Sequence, residues 1–264
     1  MSSRMAMWPT RKVTYLFDLL RELVARDLKI RYKRSALGLA WSLLNPLAQL
    51  LVFGFLFGMV LPLNIPNFPL FLFSGVLVWN WFSTSLLSAA TAITDNRELI
   101  KRPGFHAAIL PVVTVTSNLI HFVLALPILL AFALISGVGL SPVLVLLPLV
   151  MALQFILTLG LSYFVATFQV TFRDTQYLLG VILMLGFYLT PVFYAVASVP
   201  AHLQWLYRLN PVAQLLVAYR SILIYGKMPD WLSLLALYVM ACLVLIGGYA
   251  IFSSRAGSRF VEEL

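Results

Sequence analysis

Residues 35–94 read SALGLAWSLLNPLAQLLVFGFLFGMVLPLNIPNFPLFLFSGVLVWNWFSTSLLSAATAIT, a single unbroken interval without Asp, Glu, Lys or Arg. One membrane crossing uses about 20 apolar residues, so this interval is too long for one. It is interrupted by Pro62-Leu63-Asn64-Ile65-Pro66-Asn67-Phe68-Pro69, a turn-type cluster. The reading that satisfies both facts is a hairpin of two membrane helices. A second charge-free interval runs from Pro103 to Phe172, longer still, and is broken by Ser136-Gly137-Val138-Gly139-Leu140-Ser141-Pro142, giving a second hairpin. Thr175 to Tyr207 and Trp231 to Ser254 are shorter charge-free intervals, and each leaves room for one more crossing.

The sequence therefore predicts an all-α, polytopic membrane protein with six transmembrane helices at Ala36 to Leu61, Leu70 to Ala92, Ala107 to Ile135, Val143 to Val170, Gln176 to Ala195 and Trp231 to Ser253. The 264 residues are 62% hydrophobic and 10% charged, with mean hydropathy +0.97, which excludes a water-soluble monomer. Membrane β-strands would show segments of about 10 residues alternating in polarity, and there are none.

Charge gives the orientation. Of 18 Lys and Arg, 15 fall on the side that carries both termini: nine before Ser35, then Arg97, Lys101, Arg102, Arg173, Arg255 and Arg259. Arg208, Arg220 and Lys227 fall on the other. By the positive-inside tendency both termini are expected in the cytoplasm and residues 196–230 outside. That external stretch keeps apolar runs such as Val212 to Tyr225, so short gate helices lying on or dipping into the membrane are expected before the last span. Six of the nine net positive charges come from the segment before Ser35, where Asp18, Glu22 and Asp27 are the acids. Within residues 1–35, Leu16, Leu19, Leu20, Leu23, Val24 and Leu28 recur at helical spacing while Arg21, Glu22, Arg26 and Lys29 point elsewhere, predicting an amphipathic interface helix. This segment serves as an anchor to anionic lipid, a docking surface for a cytoplasmic protein, or both. The basic excess is thus a membrane-interface feature, not a nucleic-acid surface. The six-helix transmembrane domain is residues 36–264.

The chain carries little chemistry. His106 and His121 are the histidines inside the two long charge-free intervals; His106 adjoins a basic loop, and His121 reads as a hydrogen-bonded histidine or, without a carboxylate in its helix, a poor proton relay. No acid occupies the five inner spans, which weakens an ion-coupled transporter. HExxH and GxSxG motifs and a phosphate-binding loop are absent, and Cys242 is the one cysteine, so no catalytic residue, metal site or bound cofactor is expected in this chain. Energy for active transport would have to come from another polypeptide. Gly54 and Gly58 form a GxxxG pattern suited to close packing within one protomer or across a dimer, and Pro46 should bend the same helix. Aromatic residues make up 14% of the chain. Phe53, Phe57, Trp79, Phe187, Tyr188 and Tyr194 are channel candidates that could receive sugar rings, against the ordinary use of such residues in packing and at interfaces. Trp79 and Trp81 lie about 200° apart on a helix and cannot both line one channel.

Several segments, taken in order, resemble the membrane permease subunit of ABC-type polysaccharide exporters, which move O antigens, capsules and teichoic acids. They are Arg31-Tyr32-Lys33-Arg34-Ser35-Ala36-Leu37-Gly38 with Trp41 and Asn45-Pro46-Leu47; Asn96-Arg97-Glu98-Leu99-Ile100-Lys101-Arg102; Phe172-Arg173-Asp174; and Thr190-Pro191-Val192-Phe193-Tyr194, Pro200 and Leu209-Asn210-Pro211. The resemblance implies a homodimer in a bacterial inner membrane, paired with two copies of a separate ABC ATPase that binds ATP and Mg. It implies a lipid-linked polysaccharide as cargo. By the same resemblance, Asn96, Arg97, Glu98, Leu99, Ile100, Lys101, Arg102 and Phe105 form a coupling loop in a groove of the ATPase. Arg31, Lys33 and Arg34 face lipid headgroups or the substrate pyrophosphate. His106 departs from the family pattern, which often has proline there. For Arg97, Lys101 and Arg102, plain orientation of the chain is the competing reading; for Arg173-Asp174 it is a short turn with a local ion pair. Alternatives to the exporter are an ABC permease for a drug or other lipid, a membrane-embedded enzyme acting on lipid-linked sugars, and a noncatalytic assembly subunit.

Overall fold

The computed structural model describes residues 8–33, 35, 37–63, 65–102 and 104–255, and among these it is helical with no strand. In chain order the helices are α1 (Trp8–Tyr32), α2 (Trp41–Phe55, continued by a π turn at Leu56–Val60), α3 (Phe68–Thr91), α4 (Arg97–Ile100) and α5 (Ile109–Ile135). They continue with α6 (Leu147–Thr171, entered through a 3₁₀ turn at Pro142–Leu146), α7 (Thr175–Leu189), α8 (Gln204–Leu209), α9 (Pro211–Leu223) and α10 (Trp231–Arg255).

Five of these segments are long and apolar enough to cross a membrane: Trp41–Val60, Phe68–Thr91, Ile109–Ile135, Pro142–Thr171 and Trp231–Arg255. The sixth predicted crossing, 176–195, opens with the shorter apolar helix α7, 15 residues ending at Leu189, and continues as the extended segment that begins at Thr190. At 1.5 Å per residue α7 itself covers about 22 Å of the roughly 30 Å hydrocarbon layer before it stops. The cause is Pro191: the residue before a proline is pushed out of the helical region, and Thr190 is extended at φ −94°, ψ 142°.

Helix α3 is the central post. It is buried almost all round, from Phe68 through Leu70 to Val78 and on to Ala90, as expected of a helix apolar on every face. It packs against α5, α6, α2, α7 and α9, while α10 lies along α6. The α6–α10 crossing is close because neither helix has a side chain there: a Cβ on Gly248 would lie 2.3 Å from the Gly160 carbonyl oxygen, and one on Gly160 would lie 2.6 Å from the Leu245 nitrogen. By contrast, nothing lies within 4 Å of a Cβ added to Gly54 or Gly58, so the GxxxG pattern makes no close approach within the protomer.

Helix α1 has the predicted amphipathic form. Leu23 and Val24 are buried, Leu19, Leu20 and Leu28 pack partly against the same cluster, and Arg21, Glu22, Arg26 and Lys29 are exposed. Its partners are the basic ends of α3 and α5 and the short α4, including Ile93, Ile100, Ala107 and Ile109. The α6–α7 turn at the same end is closed by Gln169, whose Nε2 donates to the Arg173 carbonyl (3.0 Å) and whose Oε1 accepts from the Gln176 N–H (2.7 Å). Arg173 and Asp174 are exposed, and no ion pair joins them, contrary to the local pair expected.

Candidate functional site

Three features stand along the bundle. At the basic end, α4 is a single exposed turn with an apolar underside. Ile100 is buried and Leu99 and Phe105 half-buried against the α1 cluster, whereas Arg97, Glu98, Lys101 and Arg102 are exposed. Asn96 fixes the turn on both sides: its Nδ2 donates to the Ala92 carbonyl (2.9 Å), and its Oδ1 accepts from Arg26 of α1. The eight residues predicted as a coupling loop are therefore one knuckle, held to α1 by its apolar face and presenting four charges outward.

Next to α1 lies a chamber of about 660 Å³ between α1, α2, α3 and α5. Arg31 stands at its rim, where Nη1 donates to Asn118 Oδ1 (3.1 Å) and Nη2 pairs with Asp27 (3.4 Å), the one ion pair among the described residues. Deeper, the Tyr32 hydroxyl meets His121 Nε2 at 3.3 Å, with the rings edge to face. Burial raises the Tyr32 hydroxyl above its usual range and keeps it protonated. His121 Nδ1 is buried without a partner. The far wall carries Asn80, whose Nδ2 donates to Gln49 Oε1 at 3.3 Å. Of the residues predicted near a headgroup, Arg31 thus lines a cavity, Lys33 is exposed at the end of α1, and Arg34 lies outside the described residues.

The third feature is an aromatic face. Phe53 and Phe57 of α2 stack on Phe193 (centroids 5.9 and 5.1 Å), which also meets Phe187, Tyr188 and Tyr194. Trp79 joins through Phe187 at 6.0 Å, but it is only 6% exposed and supports the face from behind. All six predicted aromatics are contiguous, with Phe193 as the hub. Trp81 points the other way, onto Phe122 and the Val115 carbonyl.

This face sits on the break after α7. Asn210 caps α9 by accepting from the N–H groups of Val212 and Ala213, and its Nδ2 donates to Thr190 Oγ1 (3.1 Å), so Thr190-Pro191 and Asn210-Pro211 meet in space. Beyond Asn210 the chain dips into the bundle: Leu215, Leu216, Tyr219 and Ile222 of α9 are fully buried, in keeping with the predicted gate helices. Arg220 goes in with them. It is 4% exposed, so a basic residue counted on the external side is buried within the bundle. Its guanidinium donates to the carbonyls of Pro191 (2.7 Å), Val192 (2.6 Å) and Phe71 (3.3 Å) and lies 3.4 Å over the Phe71 ring.

Sequence reasoning misses the burial of Arg220 and the chamber's carboxamides Gln49 and Asn80, because it looks mainly for ionisable groups within spans; Asn45 and Asn118 join them in the chamber. Carboxamides recurring in charge-free spans are the available signal.

A multi-pass bundle of membrane-length helices with an amide-bearing chamber at one end, an aromatic face beyond it and an exposed charged knuckle is a membrane transport subunit of the permease type. The profile of the ABC-2 type transporter family matches residues 18–224, and the chain belongs to that family. It is 40% identical over 248 residues to the O-antigen export system permease protein RfbA of Myxococcus xanthus, covering 93% of this chain and 95% of that one. It is 34% identical over 254 residues to the protein of the same name from Klebsiella pneumoniae (95% and 96% covered), and 25% identical over 241 residues to the polysialic acid transport protein KpsM of Escherichia coli (88% and 92% covered).

Proposed function

We propose that this chain is the membrane subunit of an ATP-driven exporter that moves a lipid-linked polysaccharide, of O-antigen or capsule type, across a bacterial inner membrane. Its near full-length similarity to two O-antigen permeases and a polysialic acid transport protein carries this reading. In it, the chain binds no cofactor; ATP and Mg belong to a separate ABC ATPase present in two copies. The α4 knuckle and loop to Phe105 dock in the ATPase, both termini are cytoplasmic, and α8 and α9 form the external gate. The working unit is a homodimer. The outward apolar faces of α2 (Leu51, Val52, Phe55) and α7 (Tyr177, Leu178, Ile182), more than half exposed in the single chain, support a second copy or lipid covering them. No residue here makes or breaks a covalent bond; the chain supplies path, gate and coupling surface.

The test is purification from the host under mild conditions. An ATPase should accompany the chain in equal amount, its turnover should respond to glycolipid, and Glu98→Lys and Lys101→Glu should weaken the association while the fold persists. Absence of any ATPase, or of an ATP-dependent response to glycolipid, overturns the reading.

A further inference from the structure

We infer that the chamber between α1, α2, α3 and α5 is a binding site for a neutral sugar ring, the one nearest the lipid linkage of the cargo. The inference rests on the exporter reading and deepens it. It starts from the lining. Asn45 and Gln49 stand one turn apart on α2 and face the cavity with Asn80 from α3 and Asn118 from α5. Each carboxamide offers two donors and an acceptor, and among the described residues no carboxylate lines the cavity.

The lining discriminates between ligand chemistries. An acyl chain entering the chamber would strip these amides of water and return no hydrogen bonds, which is costly. A phosphate is an acceptor only and leaves the amide oxygens unmatched; among the described lining residues the one cation, Arg31, stands at the rim and is already shared between Asp27 and Asn118. Sugar hydroxyl and acetamido groups both donate and accept, as the carboxamides do. Part of this capacity is unspent. Asn45 and the Gln49 NH₂ make no hydrogen bond to another described residue, and His121 Nδ1 is buried without a partner. Trp41, about half exposed, is among the lining residues and supplies an aromatic ring of the kind that packs on the apolar side of a pyranose. The volume, about 660 Å³, falls in the roughly 300–1,000 Å³ range of small-molecule sites. With the sugar inside, the anionic linkage emerges at Arg31 and the prenyl chain leaves toward lipid.

The experiment uses the full chain together with the ATPase that purifies with it, in nanodiscs for binding and in proteoliposomes for ATP-driven movement, and two probes: a polyprenyl diphosphate carrying one N-acetylhexosamine, and the same lipid without the sugar. The sugar-bearing lipid should bind about tenfold tighter or more. Asn80→Leu and Gln49→Leu should each reduce that preference about fivefold while leaving the bare lipid's affinity unchanged. Asn45→Ala, at an exposed position without a side-chain hydrogen bond, perturbs the fold least and should erode the preference in the same sense. Equal affinity for the two lipids, or a preference that all three variants retain, overturns the sugar site; ATP-driven glycolipid movement persisting in the same preparation then leaves the exporter reading standing. Failure of both lipids to bind overturns the site as well, and if ATP-dependent movement is also absent, the exporter reading falls with it.

Discussion

Gly75 and Arg220 occupy one another's space: a Cβ on Gly75 would lie 2.7 Å from Arg220 Nη2 and 2.5 Å from the Val192 carbonyl oxygen that Nη2 binds. The missing side chain on α3 lets the broken segment after α7 come close enough for α9 to reach through and clamp it. A buried guanidinium without a carboxylate is tolerated because three carbonyl dipoles and the Phe71 ring face replace its water. The clamp ties α3, the Thr190-Pro191-Val192 break and α9 into one unit.

Gly75→Ala should therefore destabilise the protein by about 3 kcal/mol, since the obstructing atom is backbone and cannot swing away. Arg220→Ala should cost a similar amount by leaving buried carbonyls unpaired, and Arg220→Lys, which keeps charge but loses the planar fork, should fall between. Thermal unfolding in detergent measures all three. An Arg220→Ala variant as stable as the native chain would mean that water enters the site and the clamp contributes nothing.

At the α6–α10 crossing the two glycines oppose a single approach of backbones. Gly160→Ala and Gly248→Ala should each lower the unfolding temperature by several degrees, and the double variant should cost less than the two losses added, because the first already forces the helices apart. Gly54→Ala, with nothing within 4 Å, should leave the isolated protomer's stability unchanged. Strict additivity at 160 and 248 would show that the helices separate locally at each site.

The charge-free intervals located α2, α3, α5, α6 and α10, because the cost of a charge in hydrocarbon leaves a mark on sequence that needs no tertiary knowledge. The amphipathic α1 was legible for the same reason, since one face meets water. Three things were not. The length of α7 depended on how strongly Pro191 ends a helix when Arg220 waits to bind the freed carbonyls, a partner 29 residues away. The close crossing lay at Gly160 and Gly248, which no local pattern marks, and not at the GxxxG pair. The chamber draws its amides from three helices, two from α2 and one each from α3 and α5, so it exists only after packing. The aromatic candidates, chosen one by one, proved to be neighbours; the hub Phe193 was visible in the Thr190–Tyr194 segment but carries no feature that singles it out.

The Arg26–Asn96 contact joins α1 to α4 through polar atoms at an exposed position. Arg26→Ala should barely change stability, because the apolar cluster of Leu23, Val24 and Ile100 remains. If α4 passes ATPase motion to α1, the variant should keep ATPase association but lose part of the glycolipid-stimulated turnover. Loss of association instead would place Arg26 in the docking surface itself.

Asp230 caps α10, with Oδ2 accepting from the Ser233 N–H (2.9 Å) and hydroxyl (2.6 Å). These bonds to the charged form lower its carboxyl below the usual aspartate range. A lowered carboxyl contributes its stabilisation above the unfolded-state value and loses it as pH falls through the folded one. Protection of the Leu232–Leu234 amides, taken relative to their intrinsic exchange at each pH, should thus be constant near neutral pH and fall only in acid below the usual aspartate range. Asp230→Ala should show weak protection at every pH, and Asp230→Asn, a good cap without a charge, should stay protected and lose the acid step. An acid step that survives in Asp230→Asn would assign it to another group.

Phe193 decides between the two uses of the aromatic face. It touches Phe53, Phe57, Phe187, Tyr188 and Tyr194 at centroid distances of 5.1 to 6.2 Å, so Phe193→Ala would open a cavity and confuse packing with guidance. Phe193→Leu nearly preserves volume and should cost under about 1.5 kcal/mol. It removes the π face, which matters only if a sugar ring slides across it. The expected result is a Leu variant that unfolds near the native temperature, retains its ATPase, and exports glycolipid several-fold more slowly, with Phe193→Tyr restoring the rate. Native export by the Leu variant would reduce the aromatic face to packing between α2 and the break after α7.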